Sequence, residues 1–237
     1  MTRADPNRPM PAIGSYIAAA IMGTMSTVAL CSGQSVDFTP YVGVYAPTSN
    51  VIEESGAFCS AIGRGGNGPI TCGTTVRHRT ALAVGARVTA WPSKRFGVDL
   101  AWGYAMSGVR GMTYNESGPR DTSANVTTVT ARLLISVTPH NSKSWLYLTA
   151  GPALIVHSGA AYTDFNGTTA WGPAVGVAAR FHILRSLVLR ADVQDYLYSA
   201  QFEDTFTQER TGGQTQNDFV VSLGLSVSPF TSAGLGR

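Results

Sequence analysis

The chain has 237 residues, enough for one sizeable domain or two small ones. Hydrophobic residues make up 44% and charged residues only 13%, which excludes a disordered chain, because such chains are rich in charge and poor in hydrophobic residues. The net charge of +3 comes without a basic patch interleaved with aromatic residues, so nucleic acid is not an expected partner.

Residues 1–34 have the order of a secretory signal peptide. A start with two arginines precedes an uncharged stretch from Ile13 to Leu30, and the small residues of CSGQS follow. A basic start, an apolar core and a small-residue end are typical of an export signal, and we predict cleavage near residues 31–35. An uncleaved anchor is the alternative, because about 18 apolar residues just reach across a bilayer. A lipoprotein signal ending at Cys31 is less favoured, since Leu30 stands where a small residue is expected.

Two cysteines remain after that cleavage. Cys59 and Cys72 lie in one glycine-rich segment, ESGAFCSAIGRGGNGPITCGTT. An even pair in an exported chain predicts a disulfide.

The rest of the chain divides into eight alternating runs, and none of them has a helical period. The predicted strands are 36–46, 76–90, 96–107, 123–138, 145–157, 170–181, 187–198 and 217–228. The connections alternate between long and short, so the long loops lie at one end of an up-and-down meander. Soluble sandwiches with Greek-key connections give no reason for that order.

Each predicted strand has one large apolar face and one small face. In residues 96–106 the large face is Phe96, Val98, Leu100, Trp102, Tyr104 and Met106, and the small face is Gly97, Asp99, Ala101, Gly103 and Ala105. Small side chains with a few charges suit the narrow interior of a barrel, so the apolar face is predicted to meet lipid. A soluble exported barrel of lipocalin type, with the large face inside, is the alternative.

The chain resembles the small outer-membrane β-barrel proteins of the OmpA/OmpX type. The resemblance rests on the export signal, the eight-stranded meander and the phrases PYVGVYAPTS, LYLTAGPALIVHSG and WGPAVGVAARF. It implies an all-β, eight-stranded antiparallel transmembrane barrel over 35–230, after a signal peptide over 1–34 and before a short tail over 231–237.

The same resemblance implies a place and partners. The place is the bacterial outer membrane, and the expected partners are its lipid and the barrel-insertion machinery, which reads an aromatic residue at the end of the last strand in that family. Here the last strand ends at Phe230, although Pro229 disturbs the alternation and seven residues follow.

Six charged residues fall on the predicted lumen face. They are Arg87, Asp99, Arg132, Arg180, Arg190 and Asp192. Centring the turn WPSKR on Ser93 places Arg87 directly opposite Asp99, and opposite charges across a strand pair stabilise a sheet. We predict that these charges plug the lumen, and an anion-binding site is the alternative.

Aromatic residues cluster near both ends of the predicted strands. Trp91, Phe96, Trp145 and Phe181 flank the short turns, and Tyr104, Trp171 and Tyr198 lie nearer the long loops. This spread predicts two interfacial belts.

The predicted function is structural, or surface recognition of an extracellular ligand through the long loops. A narrow pore for small solutes or ions is one alternative. A lipid-modifying enzyme using His157 is another, but the adjacent Ser158 should point to the opposite face. No catalytic residues, cofactor or metal site are predicted.

Overall fold

The computed structural model of the chain describes residues 35–48, 52–58, 71–93, 95–112, 120–138, 144–163, 165–184, 187–204 and 210–227. The predicted signal peptide, Cys59 and the predicted tail lie outside these residues. The strands are β1 (Ser35–Pro47), β2 (Ile52–Phe58), β3 (Thr71–His78), β4 (Ala81–Trp91), β5 (Phe96–Ala105), β6 (Gly108–Met112), β7 (Arg120–Ser123), β8 (Asn125–Ser136), β9 (Ser144–Ser158), β10 (Phe165–Asn166), β11 (Thr169–His182), β12 (Leu187–Asp204) and β13 (Arg210–Val227).

Eight of these strands form a closed antiparallel barrel. Around the ring they follow the order β1, β4, β5, β8, β9, β11, β12 and β13, and β13 pairs with β1 to close it. Closure leaves no unpaired sheet edge in the wall. The predicted all-β, eight-stranded, up-and-down barrel is therefore confirmed.

The small face of each barrel strand lies inside. Along β5, buried residues from Gly97 to Ala105 alternate with outward residues from Phe96 to Tyr104. The outer surface is apolar, and Trp171 on it is 69% exposed while Leu148 is 52% exposed. A soluble barrel buries its large apolar residues, so this distribution rules out the lipocalin-type arrangement.

Connections of different length meet at opposite ends of the barrel. Short connections follow β4, β8 and β11, and we call that end the turn end. Long connections follow β1, β5 and β9 at the other end, which we call the loop end; β12 and β13 also meet there, where both strands are extended. This separation agrees with the sequence prediction.

Two of the predicted loops contain strands instead. β2, β3, β6 and β7 form a second, four-stranded antiparallel sheet. The prediction of one strand over 76–90 was also wrong, because β3 ends at His78 and β4 begins at Ala81. These strands are short and lack a sustained alternation, so their pairing depends on backbone hydrogen bonds that a sequence pattern does not reveal.

The last hairpin is longer than predicted. β12 continues to Asp204 and β13 begins at Arg210, with a register irregularity between Ser199 and Gln201. Polar residues fill this extension, so it reads as a loop in the sequence. The two strands nevertheless stay paired up to Glu203 and Arg210.

Pro152 and Pro173 lie directly opposite each other on β9 and β11. Proline has no N–H to donate, and the pairing of β8 with β9 is interrupted between Thr130 and Leu133, next to Pro152. Within the described residues, no helix is long and apolar enough to span a membrane.

Candidate functional site

Asp99 lies at the centre of a buried ion-pair network, which we call the central network. Its carboxylate forms ion pairs with Arg132 and with Arg190, the latter at 3.1 Å from Arg190 Nη2 to Asp99 Oδ2. The Thr89 hydroxyl donates to Asp99 at 2.9 Å and accepts from Arg190 at 2.8 Å. The Asp99 side chain is fully buried, so these contacts replace its hydration.

A second carboxylate, Asp192, completes the central network. Arg190 Nε lies 2.8 Å from Asp192 Oδ2, and Arg87 forms an ion pair with the same oxygen. Arg87 also donates to the Ser222 hydroxyl at 3.0 Å. Its guanidinium carbon lies 4.3 Å from the ring centroid of Tyr41, a cation–π contact.

The central network crosses the full width of the lumen. Asp99 is on β5 and Arg190 is on β12, and these strands are four places apart in either direction around the ring. A hydrogen bond between their side chains therefore joins opposite walls. An eight-stranded barrel has room for little more than its own side chains, so the network blocks the lumen at this level.

The predicted pairing of Arg87 with Asp99 is wrong. Asp99 is opposite Thr89 on one side and Arg132 on the other, while Arg87 is opposite Ala101. The pairing of Thr89 with Asp99 shows that the turn is centred one residue later than expected, and within it the hydroxyl of Ser93 accepts hydrogen bonds from the N–H groups of residues 95 and 96. A shift of two in the pairing keeps every side chain on its predicted face.

A second polar group, the base cluster, lies nearer the turn end. Asp37 on β1 forms an ion pair with Arg180 on β11, and the indole of Trp91 donates to Asp37 at 2.7 Å. Arg180 also lies over the Trp91 ring at 4.5 Å. Tyr147 packs against Trp91 with ring centroids 4.9 Å apart, so aromatic rings and one ion pair fill this level.

A third group, the mouth cluster, lies toward the loop end. The hydroxyls of Tyr45 and Tyr198 both donate to Asp218 Oδ2, at 2.7 Å and 2.6 Å. His157 Nε2 lies 3.2 Å from the same Tyr198 hydroxyl. Apolar residues surround these groups, and two tyrosine hydroxyls hold the carboxylate of Asp218.

The smaller sheet and a short 3-10 turn, Ala160–Tyr162, extend the mouth cluster. The Tyr162 hydroxyl lies 2.6 Å from His78 Nε2, and the rings of His78 and His157 are 5.7 Å apart. His78 ends β3, outside the barrel wall. Its burial, with a smaller contribution from His157, lowers the pKa of His78 from 6.5 to about 3, so the imidazole is neutral in the folded protein.

Comparison with solved structures agrees on the architecture. The outer membrane protein OprG from Pseudomonas aeruginosa aligns over 84% of this chain and 98% of its own, with 13% identity and a TM-score of 0.55. The outer membrane protein AlkL aligns over 98% of this chain and 100% of its own, with 16% identity and a TM-score of 0.53. The fold is that of the small eight-stranded outer-membrane β-barrels.

At this low identity the likeness to other outer-membrane barrels speaks for the fold alone. No protein-family model matches the sequence, and no curated protein matches it. The geometry of the lumen and the outer surface therefore carries the functional argument.

Three of the predicted belt residues do not lie on the outer surface of this outer-membrane barrel fold. Trp91 and Tyr198 are buried in the lumen, and Trp145 is half-buried on the inward-facing side of β9. Alternation gives the reason, because each lies an even number of residues from a buried lumen residue on its own strand. The other four lie on outward-facing positions: Phe96, Tyr104, Trp171 and Phe181.

The cysteine and histidine predictions have different outcomes. Cys72 pairs with Ala57 through the backbone, but Cys59 lies outside the described residues, so the disulfide stays a prediction. His157 is buried while Ser158 is exposed, and His157 contacts Tyr198 instead of a serine. No cluster of three metal-ligating side chains occurs among the residues that the structure describes.

All six predicted lumen charges are buried inside the barrel, but the sequence reading missed several of their partners. Asp37 is the main omission. Alternation could have found it, because Phe38 lies on the large outward face of β1 and its neighbour Asp37 therefore lies on the small face. Asp218 lies on the small face of β13 by the same alternation, although its partners are tyrosines and not the six charges. The tyrosine partners gave no such signal, because their hydroxyls become polar contacts only once the opposite wall is in place.

Proposed function

We propose that the chain is an integral outer-membrane barrel with a plugged lumen, whose role is structural or depends on recognition at its outer face. Support for the plug comes from one observation above all: the Arg190–Asp99 contact joins opposite walls. The base cluster and the mouth cluster fill the lumen on either side of it. Three filled levels favour a barrel that passes no solute.

Membrane insertion is supported by the outer surface. Large apolar side chains cover it from Phe38 near the turn end to Trp171 near the loop end, which is the band that lipid requires. The short connections then face the periplasm and the long ones face outward, as in barrels of this kind. Export by the signal peptide over 1–34 belongs to the same proposal.

The outward end offers the surface for recognition. Here the smaller sheet, the extended β12–β13 hairpin and the 3-10 turn form ordered structure at the loop end. Binding residues are commonly carried on connections that a rigid scaffold positions. The barrel is such a scaffold, and an extracellular ligand would meet this end first.

A catalytic role is not part of the proposal. Nucleophilic catalysis needs a nucleophile within hydrogen-bond reach of its base. Among the described residues, His157 instead contacts the Tyr198 hydroxyl and the carbonyl oxygen of Thr168. Neither the wild type nor a His157→Ala variant is expected to form a modified lipid product.

Planar-bilayer recording tests the plug. Folded protein, verified by its heat-modifiable migration in gels, is expected to insert without a steady current. The double variant Asp99→Ala/Arg190→Ala removes one charge of each sign and the contact across the lumen, so its ion leak should exceed that of the wild type. A steady wild-type current that the double variant leaves unchanged would support a pore and overturn the plug.

A further inference from the structure

The central network holds an uneven set of charges. Among the residues that the structure describes, Arg87, Arg132 and Arg190 share two carboxylates, those of Asp99 and Asp192. Three cations and two anions leave one positive charge in excess. A buried charge without a counter-charge is strongly unfavourable, so a further anion is expected within reach of the network.

The other lumen carboxylates in the described part of the chain, Asp37 and Asp218, do not supply it. Asp37 is already paired with Arg180 in the base cluster. Ser222 lies opposite Asp192 in the strand register. Asp218 is four residues from Ser222 along β13, which is about 13 Å at the rise of a β-strand. Its carboxylate accepts the hydroxyls of two tyrosines instead.

Several buried polar atoms in and next to the central network have no partner among the protein atoms that the structure describes. They are Arg87 Nε, Arg132 Nε, Arg132 Nη1 and the hydroxyl oxygens of Thr130 and Thr149. Arg87 and Arg132 are each only 2% exposed. Buried polar groups in folded proteins almost always have a hydrogen-bond partner, so we expect a bound ion or water next to these atoms.

The register places these donors around one part of the lumen. Ala101 on β5 is opposite Arg87 on one side and Thr130 on the other. Arg132 follows Thr130 on the same face of β8, and Thr149 lies on the neighbouring strand opposite Leu134. On β5, between Arg87 and Arg132, the wall thus carries Asp99, which pairs with Arg132, and the small side chain of Ala101, which lies opposite Arg87.

We propose that the plug contains a small monovalent anion of the size of chloride, bound between Arg87 and Arg132. Water could complete the hydrogen bonds, but only an anion also balances the excess charge. The narrow lumen of an eight-stranded barrel admits no large ligand. This inference concerns what the plug is made of, and it does not depend on whether the barrel conducts.

Refolding in different salts tests the proposal. The barrel is refolded from urea into lipid vesicles in sodium chloride or in sodium gluconate at equal ionic strength, since gluconate is too large for the lumen. The urea midpoint is expected to be higher in chloride and to rise with its concentration. At a chloride concentration of about 100 times its Kd, the unfolding constant should fall roughly 100-fold.

Three variants separate a lumen anion from a general salt effect. Arg87→Gln removes the excess cation while Asp192 keeps Arg190, so the chloride dependence should disappear. Ala101→Asp supplies a covalent counter-charge, so its midpoints in chloride and gluconate should coincide. The control Asp37→Asn/Arg180→Gln changes the base cluster without changing the net charge, and it should keep the chloride dependence.

A second measurement uses the wild-type protein alone. Crystals grown in sodium bromide are expected to show an anomalous peak in the lumen within hydrogen-bond reach of both Arg87 and Arg132. Equal wild-type midpoints in chloride and gluconate, a chloride effect that Arg87→Gln retains, or a lumen without bromide would each overturn the proposal and leave water as the partner of these donors.

Discussion

At the scale of the residue, Asp99 explains why a carboxylate stands among glycines and alanines. It accepts from Thr89 on the neighbouring strand β4 and pairs with Arg132 on the neighbouring strand β8. Arg190 reaches it from the opposite wall. Small neighbours such as Ala101 leave the space into which these long side chains extend.

Replacing Asp99 should therefore be costly. Asp99→Asn keeps the shape of the side chain but leaves Arg132 and Arg190 short of a counter-charge. Breaking a buried ion pair from one side costs about 3–5 kcal/mol. We expect a loss of that order in the free energy of unfolding, measured by urea titration of the vesicle-embedded protein.

Asp195→Asn is the matched control for this substitution. Asp195 faces outward on β12, half-exposed, and its contact with the Asn217 amide is long, at 3.5 Å. Asp195 forms no ion pair among the described residues, and one hydrogen bond contributes about 1 kcal/mol, so its replacement should cost far less than that of Asp99. If the two asparagine variants lost the same free energy of unfolding, the central network would not stabilise the fold more than an outward carboxylate does.

At the scale of the element, the sequence predicts which face a residue occupies better than it predicts the partner. Alternation placed Asp99, Arg132 and Arg190 in the lumen correctly, because the period of a strand is fixed. The partner depends on where a turn is centred, and in the β4–β5 hairpin that centre lies one residue later than the sequence suggested. Contacts between distant strands, such as Arg190 with Asp99, follow only from closure of the ring.

The long connections show the same limit. Short strands such as β3 and β6 have no sustained pattern, so the sequence suggested loops where the structure has a second sheet. That sheet brings His78 against Tyr162 of the 3-10 turn. Neither residue stood out in the sequence as part of a mouth cluster.

His78 should make the stability of the fold depend on pH. The folded pKa of about 3 lies below the ordinary value of 6.5, so the unfolded chain binds the proton more readily. The stabilisation is complete above pH 6.5 and is lost as the pH falls from 6.5 toward 3. At about 1.4 kcal/mol per pH unit, lowering the pH from 7 to 5 should remove about 2 kcal/mol.

Urea unfolding at pH 7 and pH 5 isolates this contribution. His78→Gln should show an acid-induced loss that is smaller than the wild-type loss by about 2 kcal/mol, because glutamine does not titrate. His182→Gln removes an imidazole at the exposed end of β11, away from His78, and serves as the control variant. An equal loss in the His78 variant would exclude His78 as the source.

At the scale of the whole molecule, the two surfaces of the wall have exchanged the roles that they have in a soluble protein. Charged residues such as Arg132 are buried in the middle, and apolar residues such as Leu100 face outward next to them. That inversion is favourable only if the surroundings are apolar too. This arrangement of buried charges and outward apolar residues therefore implies that the barrel lies in a membrane. A single substitution on the outer surface can test that implication.

Leu100→Arg makes that test on β5, at the level of Asp99. In a bilayer, an arginine on the lipid face near the midplane costs about 2–4 kcal/mol, and the cost falls to about 0–1 kcal/mol near the interface. Phe96→Arg, at the turn end of the same strand, is the matched control. Urea unfolding from vesicles should rank Leu100→Arg well below Phe96→Arg, whereas a barrel surrounded by water would tolerate both alike, since exposed substitutions usually change stability by about 0.5 kcal/mol or less.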